Sequence, residues 1–322
     1  MMFGHMLDGV RLLARSPSER LMATWPAGTR IIRTTAGRLR VRDTGGDNPV
    51  IVMVPDGPCV IEHYEALIAE LAGSFRVICF DLPGFGFSYP RPMYDFGLDA
   101  TVDVVLAVLD ASDVSRATLS FSCVNSFYAL AVTQAVPDRV ERLVLCQTPS
   151  KNAMDAWVRH NIPAPLVVPF VGHAAVAAGA KTLATKWFDK ALPRDSPVGE
   201  QLRQVATHAL KNGACFCLAS VVQGMLPVKA TQLAGTDVPT TMIWGNRDWS
   251  HKTTDFESFR EHVPNATIEI FDGCGHFPNL ERPEQFAECL RRRWRSVKSR
   301  RFPPSCSRST RFSSCRYSMT PC

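Results

Sequence analysis

Short apolar runs of strand type alternate with segments of helical spacing along most of this 322-residue chain, and that alternation constrains its fold more than any other feature. Val50 to Val54 is an uninterrupted apolar run, the pattern of a strand buried on both faces. Residues 61–72 show helical spacing through Ile61, Tyr64, Leu67, Ile68 and Leu71, and Phe75 to Phe80 is strand-like again. The series continues with a helix over 98–110, a strand over 116–121, a helix over 124–136 and a strand over 140–146. It resumes with strand 239–244, helix 252–262, strand 266–271 and helix 283–295. Such alternation predicts a parallel sheet with helices on both faces. Residues 29–44 differ and read as a hairpin turning at Ala36-Gly37.

Between the two alternating parts, residues 150–235 break the rhythm. This stretch is Ala-rich and Pro-studded without a clear strand, with helical spacing over Val171 to Ala184 and Val198 to Gly213. It predicts an all-helical insertion over the sheet edge. The chain therefore divides into an N-terminal amphipathic segment (1–28), a first core part (29–149), the insertion (150–235), a second core part (236–297) and a tail (298–322). In the first segment Phe3, Met6, Leu7, Val10 and Leu13 share one side of a predicted helix, expected to pack on the domain.

Charge matters mainly at the C-terminus. The net charge of +6 arises in the last 32 residues, which hold ten Lys and Arg and no acid. The Ser-rich tail is expected to be disordered, and nucleic-acid contact through it is not favoured. No stretch is apolar and long enough to span a membrane, and the first residues lack a secretory pattern. Eleven scattered cysteines without a Cys-x-x-Cys pair then fit free thiols, a reducing cytoplasm and no metal site.

Three polar residues stand in local settings that suggest chemistry. Ser122 follows the strand-like run from Ala117 and precedes a helical pattern. Asp248 ends Trp244-Gly245-Asn246-Arg247-Asp248 after a strand, and His276 lies in Gly273-Cys274-Gly275-His276-Phe277 after another. A serine hydroxyl needs an imidazole to take its proton, and the imidazole needs a carboxylate to fix its tautomer. Ser122 is thus expected as nucleophile, His276 as general base and Asp248 as the orienting acid. Ser120 is a second register for the nucleophile, and Asp255 or Asp155 are other candidates for the acid.

The chain resembles the α/β-hydrolase superfamily over about residues 29–295. The likeness is carried by Val54-Pro55-Asp56-Gly57-Pro58-Cys59, by Asp81-Leu82-Pro83-Gly84-Phe85-Gly86-Phe87-Ser88, by the Ser122 segment, and by the Trp-Gly-x-x-Asp and Gly-x-Gly-His pair. It implies a mostly parallel sheet of eight strands with a helical cap at 150–235 lining the substrate pocket. It also implies an oxyanion hole made by the N–H groups of Cys123 and Gly57. The chain departs from the family pattern at Val124 and Asn125, where small residues are usual, and at Asp56, which takes the place of His in a His-Gly frame or of the first Gly in the better-fitting His-Gly-Gly-Pro-Gly frame. Without an acidic nucleophile at 122, haloalkane dehalogenase and epoxide hydrolase chemistry is not expected. The resulting expectation is a cofactor-free serine hydrolase of a small to medium apolar ester or related acyl bond. The alternative is a catalytically silent member that binds a small apolar ligand.

Overall fold

The computed structural model describes residues 2–301. Eleven strands form in chain order: β1 (Thr29–Thr34), β2 (Gly37–Asp43), β3 (Val50–Met53), β4 (Arg76–Phe80), β5 (Phe85–Gly86), β6 (Tyr89–Pro90), β7 (Ala117–Ser120), β8 (Val140–Cys146), β9 (Cys215–Phe216), β10 (Thr240–Gly245) and β11 (Thr267–Phe271). The helices are α1 (Met2–Leu13), α2 (Glu19–Met22), α3 (Glu65–Ala72), α4 (Leu98–Asp110), α5 (Asn125–Ala135), α6 (Lys151–Asn161), α7 (Val171–Ala191), α8 (Gly199–Lys211), α9 (Leu218–Met225), α10 (Pro278–Glu281) and α11 (Pro283–Arg301). None of the described helices is long and apolar enough to cross a membrane.

The main sheet runs β1-β2-β4-β3-β7-β8-β10-β11, with β6 added beside β2. From β4 to β11 the neighbours are parallel, whereas β1, β2 and β4 pair antiparallel. This is the α/β-hydrolase fold.

Side-chain alternation in β3 divides the core. Ile51 and Met53 join a cluster with Leu67, Ile68 and Leu71 of α3 and Phe286 of α11. Val52 and Val54 join the opposite cluster with Val104 and Val108 of α4 and Phe127 and Leu130 of α5. Both faces are thus covered by helices, and β3 carries apolar residues throughout for that reason. The chain leaves β3 toward β4 on one side and returns to β7 on the other. The crevice at the carboxyl ends of β3 and β7 is therefore where two loops diverge, the preferred ligand position in such sheets.

The Asp81–Ser88 motif acts as a structural tie. Arg40, fully buried in β2, donates from Nε to Asp81 Oδ2 at 2.8 Å and from Nη1 and Nη2 to the two Glu62 oxygens at 2.6 and 2.9 Å. Its guanidinium also lies over the rings of Phe87 and Trp25, at 4.6 and 5.1 Å. Asp81 further accepts the N–H of Phe87 at 3.0 Å and that of Ile61 at 3.3 Å. One carboxylate thereby fastens the loop after β4 to the turn before α3.

Several elements differ from the sequence expectation. The stretch predicted as purely helical contains β9, which pairs antiparallel with β5, because Phe85 and Phe216 pack edge to face beneath it. The helix expected over 252–262 is instead two 3₁₀ turns, Trp249–His251 and Phe256–Glu261, each capped by an aspartate side chain. Helix α11 continues to Arg301, past the point where disorder is predicted. The rest of the tail lies outside the described residues. Helix α1 forms but turns its other side inward. His5, Asp8, Gly9 and Leu12 are buried, whereas Val10 and Leu13 are 57% and 62% exposed. Gly9 decides this, since a Cβ there would collide with Pro92, and the Ser220 hydroxyl donates to Asp8 at 2.8 Å.

Removing the Arg40 guanidinium would strand the Asp81 carboxylate, which is 1% exposed. Arg40→Met is expected to lower the unfolding free energy by about 3–5 kcal/mol. Urea denaturation followed by tryptophan fluorescence checks this, and a loss below about 1 kcal/mol would contradict it.

Candidate active site

The turn after β7 sets the identity of the side chain it presents. Ser122 extends the strand by one parallel bridge to Cys146. Cys146 donates its N–H to the Phe121 carbonyl at 3.0 Å, and Cys123 donates its own to the Cys146 carbonyl at 2.8 Å. No hydrogen bond joins Ser122 to His276, whose ring nitrogens face Asp248 and Asp56 instead. The residue that turns out of the sheet is Cys123, with φ of +55°. Its Sγ lies within 4.8 Å of a His276 ring nitrogen and an Asp56 carboxylate oxygen.

The structure thus corrects the expectation for Ser122: the strand runs one residue further than its apolar pattern suggests, which moves the apex to Cys123. Ser120 ends β7 and is not the apex either. A non-glycine residue at positive φ is strained by about 1–3 kcal/mol, and such strain clusters at functional turns. Cys123 is also corrected as an N–H donor to an oxyanion, because its N–H belongs to the sheet. The next N–H along the turn is that of Val124.

His276 and Asp248 meet at the ends of the last two strands. His276 Nδ1 and Asp248 Oδ2 are 2.6 Å apart. Asp248 is held from three other directions: Ser250 donates its N–H and hydroxyl to Oδ1 at 2.8 and 2.6 Å, and Gln147 Nε2 donates to Oδ2 at 2.8 Å. Burial pushes the Asp248 carboxyl up, but the charge and hydrogen bond of His276 outweigh it and bring it to about 2. Burial opposes protonation of His276, yet Asp248, with a contribution from Cys123, holds it well above the usual imidazole range. The other candidate acids are engaged elsewhere. Asp255 caps its own turn, and Asp155 accepts both of its hydrogen bonds from Lys151 Nζ at 2.6 and 2.7 Å.

The imidazole is boxed by aromatic rings. Trp187 meets it edge-on at 5.1 Å and His251 stacks on it at 5.4 Å. Burial, reinforced by the nearby His276, lowers His251 to about 3 despite Asp248, so it is a neutral spacer. Backbone contacts set the height of the loop. His276 donates its N–H to the Ala191 carbonyl at 2.9 Å, and a Cβ at Gly275 would collide with that same carbonyl. Glu281 accepts the N–H groups of Gly275 and Phe277 at 2.8 and 3.4 Å.

Asp56 is the residue whose role sequence reasoning missed. It stands in the loop after β3, 4% exposed, with Oδ2 3.1 Å from His276 Nε2. Burial raises the Asp56 carboxyl above the ordinary range, with His276 only partly offsetting it. The available signal was the acid itself, in a loop position where the family usually has glycine. Two groups of donor atoms converge closely, Asp56-Cys123-His276 and Asp248-His251-His276. Each contains an N···O pair at hydrogen-bond distance, 3.1 and 2.6 Å, so a proton between the partners satisfies it.

The group opens onto a cavity of about 270 Å³. Its walls are mostly apolar, with Phe85, Val124, Phe127, Met154, Trp157 and Leu183 among them, and the ion pair of Lys151 and Asp155 lies at its side.

Comparison with known proteins agrees with this architecture. Residues 51–289 match the model of the alpha/beta hydrolase family, so the chain belongs to that family. It is similar to the 2-hydroxymuconate semialdehyde hydrolase of Pseudomonas sp. (strain CF600), 26% identical over 263 residues, which span 79% of this chain and 89% of that protein. Among solved structures, an esterase from Thermogutta terrifontis superposes with a TM-score of 0.66 at 24% identity, over 84% of this chain and 99% of that one. An epoxide hydrolase from Vigna radiata superposes with a TM-score of 0.69 at 16% identity, over 83% and 97%. The class to which the chain belongs is therefore that of the hydrolases of this fold.

Burial raises the Glu281 carboxyl to about 7 against an ordinary 4.5. Between those values the unfolded chain has released a proton that the folded chain keeps, so stability falls as pH rises through the interval. Glu281→Gln is expected to abolish that fall. Thermal melts of both forms from pH 4 to 8 check it, and parallel pH dependences would refute it.

Proposed function

We propose that the protein hydrolyses a small to medium apolar ester or related acyl bond, with Cys123 as nucleophile, His276 as base and Asp248 as its orienting acid. The observation that carries this reading is the position of Cys123, at a positive-φ turn within 4.8 Å of the imidazole that Asp248 holds at 2.6 Å. Serine and cysteine serve the same sequence of steps, so the reaction class expected from the sequence stands while the atom that attacks changes from Oγ to Sγ.

Burial raises the Cys123 thiol, with Asp56 adding to the effect, so it rests protonated and needs a base. His276 accepts the thiol proton as sulfur attacks the carbonyl carbon. The oxyanion forms against the N–H of Val124 and the loop at Gly57. His276 then protonates the leaving alcohol, giving a thioester on Cys123. It next deprotonates a water, which releases the carboxylic acid and restores the thiol. No cofactor or metal enters these steps.

The substrate assignment rests on the walls of the cavity, whose residues offer contact area and few hydrogen bonds. Residues 150–235 would serve as the cap, since α6, α7 and α9 supply Met154, Trp157, Leu183 and Val221 to that wall. The similar proteins from Pseudomonas and Thermogutta, a semialdehyde hydrolase and an esterase by name, lend the hydrolytic reading support.

Cys123→Ala is expected to reduce hydrolysis of p-nitrophenyl esters by roughly 10³-fold or more, and Ser122→Ala to leave it within about threefold. Intact-mass spectrometry should show an acyl adduct mapping to Cys123. Loss of turnover in Ser122→Ala but not in Cys123→Ala would overturn the cysteine assignment. Absence of both turnover and adduct across ester chain lengths, together with ligand binding, would favour the silent binder.

A further inference from the structure

His276 is flanked by two carboxylates, one at each ring nitrogen: Asp248 at 2.6 Å from Nδ1 and Asp56 at 3.1 Å from Nε2. With both ionised, the imidazole would be locked as a cation and could not accept a thiol proton. The Asp56 carboxylate would also stand where negative charge develops, since one of its oxygens lies within 4.8 Å of the Cys123 sulfur. A negative group there opposes an oxyanion by Coulomb repulsion in a buried site.

Placing the proton shared with Nε2 on Asp56 instead removes both difficulties. With it on Asp56, the chain of bonds becomes Asp248 carboxylate to Nδ1–H, and Nε2 to the Asp56 O–H. We infer that Asp56 works as a neutral carboxylic acid and is a further catalytic residue, donating its O–H to the carbonyl oxygen of the substrate. This inference rests on Cys123 being the nucleophile. On substrate binding the carbonyl oxygen replaces Nε2 as the acceptor of the Asp56 O–H. Nε2 is thereby released to take the Cys123 proton. The oxyanion then meets the Val124 N–H and the Asp56 O–H. Asp56 keeps its proton throughout, so the balance of the hydrolysis is unchanged. A buried acid kept neutral to donate a hydrogen bond is an established catalytic device.

The groups facing Asp56 separate its ionisation from theirs. Cys59 and Tyr64 are held well above their usual ranges by burial, and Cys123 is raised by burial too. Asp248 lies far below, at about 2. Loss of activity on the alkaline side before thiol ionisation therefore belongs to the Asp56–His276 pair, which titrates as one unit.

The test is kcat/KM against pH for wild type, Asp56→Asn and Asp56→Ala, using a p-nitrophenyl ester, with Cys123→Ala as reference. Wild type is expected to lose activity as the shared proton leaves. Asp56→Asn, which keeps a donor and cannot ionise, should lose that alkaline limb. Asp56→Ala should be slower on the order of 10²-fold at the wild-type optimum, the usual cost of one oxyanion donor. Infrared difference spectra should show a protonated carboxyl in wild type, missing in Asp56→Asn, titrating with the rate. An unchanged limb in Asp56→Asn, an Asp56→Ala variant as fast as wild type, or no protonated-carboxyl band that distinguishes wild type from Asp56→Asn across the active pH range would overturn the inference. If Cys123→Ala alone is inactive, such results leave the hydrolase standing; an active Cys123→Ala would sink both.

Discussion

One backbone bridge, between Ser122 and Cys146, governs what this site can do. Strand pairing fixes side-chain direction with a period of two, so adding a single paired residue exchanges the side chain that leaves the sheet for its neighbour. The bridge commits Ser122 to the sheet and delivers Cys123 to the crevice. The side chain facing the imidazole follows from that choice, because His276 and Asp248 arrive from the loops after β11 and β10.

Much of the architecture was legible because the relevant signals are local. The run Val50 to Val54 reads as a doubly buried strand, and its alternate residues do enter two different cores. His276 stood out because Gly275 and Phe277 give it little structural purpose, and the structure explains the glycine by the contact with Ala191. The turn was not legible to one residue. Neither Ser122 nor Cys123 has small residues on both sides at the usual spacing, and the deciding contact, with Cys146, is 24 positions away for Ser122. Helix α1 shows the same limit. Its apolar spacing is real, but a close backbone approach at Gly9 and a hydrogen bond to Asp8 determine which side docks. Asp56 was read as a departure from a loop pattern because its partner, His276, is 220 residues distant.

The electrostatics of the centre follow from exclusion of water. Asp248 stays ionised because it accepts four hydrogen bonds, two from Ser250 and one each from Gln147 and His276. Asp56 has fewer donors and equal burial, and burial prevails. Two aspartates on one imidazole are thus shifted in opposite directions, in step with the number of N–H and O–H groups aimed at them. His251 adds no charge of its own, and Trp187 closes the remaining edge.

The bond from the His276 N–H to the Ala191 carbonyl ties the base to the last turn of α7, a helix that also walls the cavity through Leu183 and Trp187. A carbonyl at a helix end is a free acceptor, so this junction seals the helix terminus and seats the loop together. Lifting that end to admit a ligand would unseat the imidazole at the same moment. Ingress that preserves the proton path must therefore pass away from Ala191, leaving the C-terminal turn of α7 as a fixed abutment.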